Sequence, residues 1–155
     1  MKKDLVCYFS TRGTTKKAAT IIRDALDADI YEIVPESPYS DEDLDWTNKN
    51  SRTSIECKDK SFRVPMRGNV HHIVDYNRVF IGFPIWWYVA PSIINTFIEA
   101  NDFTNKEVYV FITSGSSGAD EAFKELKVTY PSINFVKAKR FKNTETAEDV
   151  KNWLN

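Results

Sequence analysis

Four hydroxyl side chains crowd one glycine near the start of the chain, in Ser10-Thr11-Arg12-Gly13-Thr14-Thr15. The chemistry open to such a cluster is the holding of an oxyanion. An apolar run, Leu5 to Phe9, precedes it, and Lys16 to Leu26 follows with Ala18, Ile21, Ile22, Ala25 and Leu26 on one helical face, so the cluster is a loop between a strand and a helix. The first turn of a helix leaves backbone N–H groups without partners and carries the positive end of the macrodipole, which draws an anion to that loop. A plain helix cap needs one hydroxyl, from Ser10 or Thr14; four within six residues favour a phosphate. Two later loops also stand out. One is Pro84-Ile85-Trp86-Trp87-Tyr88, and the other is Ser114-Gly115-Ser116-Ser117-Gly118, which taken alone reads as a helix-capping turn.

Strands and helices must hold these loops together. Ile30 to Val34 reads as a short strand stopped by Pro35 and Pro38, and Val79 to Phe83 as a strand apolar enough to be covered on both faces. Pro91 opens a helix whose buried stripe is Ile93, Ile94, Phe97 and Ile98. Val108 to Thr113 is the next strand, with a helix after it through Ala122, Phe123 and Leu126; Ile133 to Phe141 and Thr144 to Leu154 form a last strand and helix, Thr144 being the expected cap. Strand alternating with helix five times predicts a doubly wound α/β fold, a five-stranded parallel sheet with helices on both faces. All three unusual loops follow strands and therefore share one edge of that sheet. Residues 35 to 77 are the least regular stretch. Ser40 and Asp43 resemble a capping box and predict a helix from about Asp41 to Glu56 with a thin apolar face, then an irregular connection from Lys58 to Gly68 and a helical turn or extended piece at Val70 to Val74. An insert of this kind beside a site is expected to shape access to it.

Composition narrows the function classes. At 155 residues, with 42% hydrophobic and 28% charged side chains, one domain spanning 1–155 is expected. No apolar run is long enough to span a membrane, and the first strand starts by Leu5, too early for a leader peptide, so a cytoplasmic protein is expected. Lys plus Arg at 21 against Asp plus Glu at 22 gives a net charge of −1, without the basic block of a nucleic-acid binder. Cys7 in an apolar run and Cys57 in a polar one form no CxxC pair, which argues against a metal or disulfide role.

The first loop resembles the flavodoxin phosphate loop, a Ser/Thr-x-Thr-Gly-x-Thr pattern that wraps the phosphate of FMN, with Arg12 standing where the family has threonine. Arg12 removes one hydroxyl donor and brings a guanidinium fork suited to phosphate. Phe83-Pro84-Ile85-Trp86-Trp87-Tyr88 looks like the second loop of short bacterial flavodoxin-like proteins, and Thr113-Ser114-Gly115-Ser116-Ser117-Gly118 like the third. The resemblance implies strand order 2-1-3-4-5, the order known for flavodoxins. It also implies that Ser10, Thr11, Arg12, Gly13, Thr14 and Thr15 hold the phosphate, while Pro84 to Tyr88 and Ser114 to Gly118 clasp the isoalloxazine ring. One of the tryptophans is expected to stack on that ring and another to pack inward, and at least one of Trp86, Trp87 and Tyr88 should be exposed. The implied function is that of an FMN-binding electron carrier serving a redox partner protein. The alternative is an FMN-dependent oxidoreductase acting on a quinone or another small acceptor, with or without NAD(P)H. Many flavodoxins are strongly acidic, which steers them to basic partners, and this chain is not.

Rival readings fit fewer residues. Gly115-Ser116-Ser117-Gly118-Ala119 approximates the nucleophile elbow of an α/β-hydrolase, but both histidines, His71 and His72, precede it. A receiver domain would end its first strand in aspartates, where this chain has Phe9-Ser10-Thr11. The second loop carries one further expectation. Between Gly82 and Gly115 there is no glycine, and a left-handed backbone costs any other residue roughly 1–2 kcal/mol. A peptide flip within Ile85 to Tyr88, of the sort that in flavodoxins favours one-electron chemistry, is therefore expected to be expensive and two-electron reduction to be preferred.

Overall fold

The structure, a computed structural model, describes residues 3–155. Five parallel strands, β1 (Lys3–Tyr8), β2 (Asp29–Glu32), β3 (Tyr76–Pro84), β4 (Glu107–Thr113) and β5 (Asn134–Arg140), lie in the order β2-β1-β3-β4-β5. The helices are α1 (Thr14–Leu26), α2 (Arg52–Lys58), α3 (Ser92–Glu99), α4 (Asp120–Thr129) and α5 (Ala147–Leu154), with one 3₁₀ turn at Ile73–Asp75. This is the doubly wound α/β arrangement that the alternation of strand and helix predicts.

The two-residue period of the strands sorts the core into two layers. Leu5, Cys7, Phe9, Ile81 and Phe83 point to the face covered by α3 and α4, where Ile94, Phe97 and Leu126 meet them. Val6, Tyr8, Phe80, Tyr109 and Phe111 point to the other face, under Ala18 and Ile22 of α1 and Val150 of α5. Burying one such aliphatic or aromatic side chain is worth about 1.5–3 kcal/mol, so β1, β3 and β4, packed on both faces, form the most firmly held part of the sheet. Their carboxyl ends carry the three loops. No helix among the described residues is long and apolar enough to cross a membrane.

The expected long helix from Asp41 to Glu56 does not form. Ser40 and Asp43 do make the reciprocal bonds of a capping box, Asp43 N–H to Ser40 Oγ at 3.1 Å and Ser40 N–H to the Asp43 carboxylate at 3.0 Å, but only a single turn follows. Asp45 then accepts the Thr47 N–H at 3.0 Å and Asn48 accepts the Asn50 N–H at 2.9 Å, local turns that compete with helix. Helix resumes at Arg52 with Ser51 as its cap. The last helix starts later than expected, because Thr146 and not Thr144 forms the capping box, with Asp149. The stretch near Val70 to Val74 resolves into the 3₁₀ turn shifted to Ile73–Asp75.

Gly82 sits where β3 passes its register partner Phe111 of β4. A Cβ at Gly82 would lie 2.0 Å from the Phe111 ring, inside any van der Waals contact. The Gly82 carbonyl also accepts the N–H of Phe9 at 3.0 Å, just ahead of the first loop. Gly82→Ala is expected to destabilise the protein by about 1–3 kcal/mol through overpacking. Urea unfolding checks this, and a midpoint equal to that of the wild type would mean that the ring moves aside freely.

Candidate functional site

The first loop turns on Gly13, whose φ of 87° is open to glycine and strained for other residues. Ser10 does not cap α1. Its Oγ accepts the Gly13 N–H at 3.0 Å, folding the loop back so that Gly13 takes the cap position, and no side chain bonds the first-turn N–H groups. The Thr15 hydroxyl is buried 2.7 Å from that of Thr113, at the end of β4. Thr11 and Thr14 line the cleft beyond, their hydroxyls without a side-chain partner among the described residues. Arg12 is exposed and turned toward Asp41 of the insert, with Nη1 at 3.5 Å from the carboxylate.

The second loop is a two-residue hairpin turn. Trp86 and Val89 exchange N–H and carbonyl bonds, both of 3.1 Å, and the residues between them, Trp87 and Tyr88, have φ of 51° and 69°. This is the twist of a type I′ turn, normally supplied by Asn-Gly. The left-handed backbone that the missing glycine argues against is thus already adopted, twice, and its cost is built into the resting loop. Trp86 packs inward, its ring 5.5 Å from Phe9 and 5.3 Å from Tyr39, both edge-on. Trp87 is half-buried and Tyr88 is 70% exposed; both border the cleft with Pro84 and Ile85.

The third loop is fixed from β5. Arg140 donates from Nε to Ser114 Oγ at 3.1 Å and from Nη2 to the carbonyls of Ser114 and Gly115 at 3.2 and 3.1 Å, while the Ser114 hydroxyl donates to the Ser117 carbonyl. Ser114, Gly115 and Ser117 border the cleft; Ser116 and Gly118 are exposed outside its lining.

Together the loops enclose about 770 Å³, within the range of pockets that hold organic ligands of cofactor size. The insert closes one side with Leu44, Trp46, Thr53 and Cys57. It is fastened by Glu56, which is 7% exposed, accepts the Tyr39 hydroxyl at 2.5 Å and pairs with Arg52 Nε at 2.8 Å; Arg52 in turn lies 3.7 Å over the Tyr39 ring. Burial and the Glu56 bond push the Tyr39 phenol far above its ordinary range, so it remains a donor. Burial likewise pushes the Cys57 thiol up to about 11.

In the sequence Thr113 is visible only as the residue that opens the third loop, and the insert only as a segment expected to shape access; Arg140 and the individual insert residues that line the cleft are missed. No local motif marks Arg140, which reaches the loop from a different strand, and Thr53 and Cys57 become neighbours of the cleft only when α2 forms. Since Trp87 and Tyr88 hold a turn that suits Asn-Gly, Tyr88→Gly is expected to stabilise the protein by about 1 kcal/mol, or roughly 2–4 °C in thermal midpoint. A lowered midpoint in calorimetry would show that contacts of the exposed Tyr88 ring outweigh its backbone strain.

Comparison with known proteins agrees with this geometry. A provisionally named flavoprotein from Bacteroides eggerthii DSM 20697 is 42% identical over 99% of this chain and 96% of its own, with a TM-score of 0.96. Another, from Bacteroides uniformis ATCC 8492, is 46% identical over 99% and 97%, with a TM-score of 0.93. A flavoprotein from Lactobacillus acidophilus NCFM, solved in complex with FMN, shares the fold at 22% identity and a TM-score of 0.76 over the whole of both chains. Among curated proteins none matches. The flavodoxin family profile matches residues 3–155, all of the described structure, and the chain belongs to the flavodoxin family.

Proposed function

We propose that the cleft binds FMN and that the protein is an electron carrier. The observation that carries this reading is the start of α1, uncapped by any side chain and opening on an aromatic-walled cleft of about 770 Å³. The free first-turn N–H groups and the hydroxyls of Thr11 and Thr14 suit a phosphate dianion, and the glycine turn at Gly13 brings the backbone close to it. Arg12 would add a fork once it leaves Asp41, an exchange between exposed positions that loses little. Thr15, already bonded to Thr113, holds the loop in shape with its hydroxyl. Trp87 and Tyr88, whose neighbour Trp86 occupies the inward position, offer the surface on which a flat ring stacks. Bound there, FMN supplies reversible one- or two-electron chemistry. The L. acidophilus structure with FMN supports the choice of cofactor.

A second reading, turnover of a small acceptor such as a quinone, is favoured by one observation. Trp46 on the insert, 71% exposed, and Tyr88, 70% exposed, both border the cleft and offer apolar faces to a planar molecule. NAD(P)H-driven turnover with and without added partner proteins separates the two.

FMN binding itself is tested at the phosphate loop. A hydrogen bond to a charged group is worth about 1.5–3 kcal/mol, so Thr14→Ala is expected to weaken FMN tenfold or more and riboflavin little, by fluorescence titration of the apoprotein. Equal losses for both ligands would place the phosphate elsewhere.

A further inference from the structure

Arg140 reaches the third loop from the side away from the cleft. In the order β2-β1-β3-β4-β5 its strand lies beyond β4, while the first and second loops leave β1 and β3 on the other side of β4. Its guanidinium donates to the carbonyls of Ser114 and Gly115 at 3.2 and 3.1 Å. A trans peptide points its N–H opposite to its carbonyl, so the N–H groups of Gly115 and Ser116 turn away from Arg140, to the side of the cleft that Gly115 borders. Neither N–H has a backbone acceptor among the described residues. The Ser117 carbonyl is engaged as well, by the Ser114 hydroxyl. With those three carbonyls taken, the loop offers donors to a ligand and withholds acceptors.

The charge behind the loop is not neutralised. Arg12, Arg23, Arg52, Arg63 and Arg78 each form an ion pair with a carboxylate, and Arg140 forms none among the described residues. A guanidinium keeps its charge throughout the working range of a protein. No Asp or Glu lines the cleft, so no lining side chain opposes negative charge placed there. Donors and charge therefore act in the same direction, on whatever part of a ligand meets the third loop.

Resting on the FMN reading above, we infer that Arg140 is a positioning residue that turns the third-loop N–H groups onto the pyrimidine edge of the bound flavin, and that the cleft holds the reduced cofactor at least as tightly as the oxidised one. The pyrimidine edge carries the ring's carbonyl oxygens and acceptor nitrogens, whereas the dimethylbenzene end offers a donor nothing. Uptake of two electrons and one proton from the reductant and solvent leaves one negative charge on that edge, spread over N1 and the neighbouring carbonyl oxygen. Hydrogen bonds and charge beside those atoms are the means by which a protein tunes a flavin. Arg140 supplies both, the first through the loop and the second directly.

Arg140→Gln removes the charge and the fork. In the FMN-loaded protein its affinity for reduced FMN is expected to fall about tenfold more than its affinity for oxidised FMN, which lowers the two-electron midpoint by about 30 mV. Equal losses for both forms, with the midpoint unchanged, are the mark of a merely structural role and overturn the inference. The wild type gives a second measurement that needs no variant. Titrated with dithionite against a reference dye at neutral pH, bound FMN is expected to be reduced at or above the midpoint of free FMN in the same buffer, and a lower midpoint overturns the inference. If the wild type takes up no FMN in a fluorescence titration, the FMN reading fails, and that outcome is distinct from either failure at Arg140.

Discussion

The site depends on one junction, at the end of β4. Thr113 places its hydroxyl 2.7 Å from that of Thr15 in the first loop, its carbonyl accepts the N–H of Ile85 at 3.0 Å in the second, and its own chain continues into the third. Thr15 and Thr113 are 1% and 3% exposed, so the hydroxyl pair sits where water does not compete, and loss of either partner leaves the other unsatisfied. Three loops far apart in sequence thereby share one fixed reference. Their mutual geometry follows from the parallel register of β1, β3 and β4 and not from the loops' own preferences.

How much of this is legible in the sequence follows from the range of the interactions. The first loop could be read because strand, hydroxyl cluster and helix are contiguous, and the sheet because apolar runs and helical stripes alternate. The insert could not, because its structure is made by pairings at a distance. Pro35 bridges Met66, Arg63 forks onto Glu99 with two bonds of 2.9 Å, and Thr96 Oγ1 donates to the Val64 carbonyl at 2.8 Å. None of these leaves a periodic trace. The capping box at Ser40 and Asp43 was a correct local signal with a wrong continuation, since the side chains of Asp45 and Asn48 turned the backbone away from helix one turn later.

Arg140 illustrates the same limit within the site. Its three bonds to Ser114 and Gly115 immobilise a loop that, as a Ser-Gly-Ser-Ser-Gly string, has little preference of its own. The glycines there are thus less informative than the arginine that anchors them. Asn143 acts similarly on the first loop, donating from its side chain to the Thr14 carbonyl at 3.0 Å. Arg140 at the end of β5 and Asn143 just after it therefore brace two of the three loops from outside the cleft.

The strained turn at Trp87 and Tyr88 has a physical explanation in what surrounds it. Trp86 is committed to the core by Phe9 and Tyr39, and Ile85 is tied to Thr113, so the chain must reverse within the next two residues to reach Val89. Asn-Gly would reverse it at lower cost but would remove two of the four aromatic side chains that line the cleft, leaving Trp46 and Trp86. Keeping two large aromatic residues in left-handed backbone is a conflict between local preference and global fold, and such conflicts concentrate where a surface is required for binding. The strain and the exposure have the same cause: with Trp86 inward, the tight reversal forces the next two rings to the rim. A turn composed for stability alone would have neither.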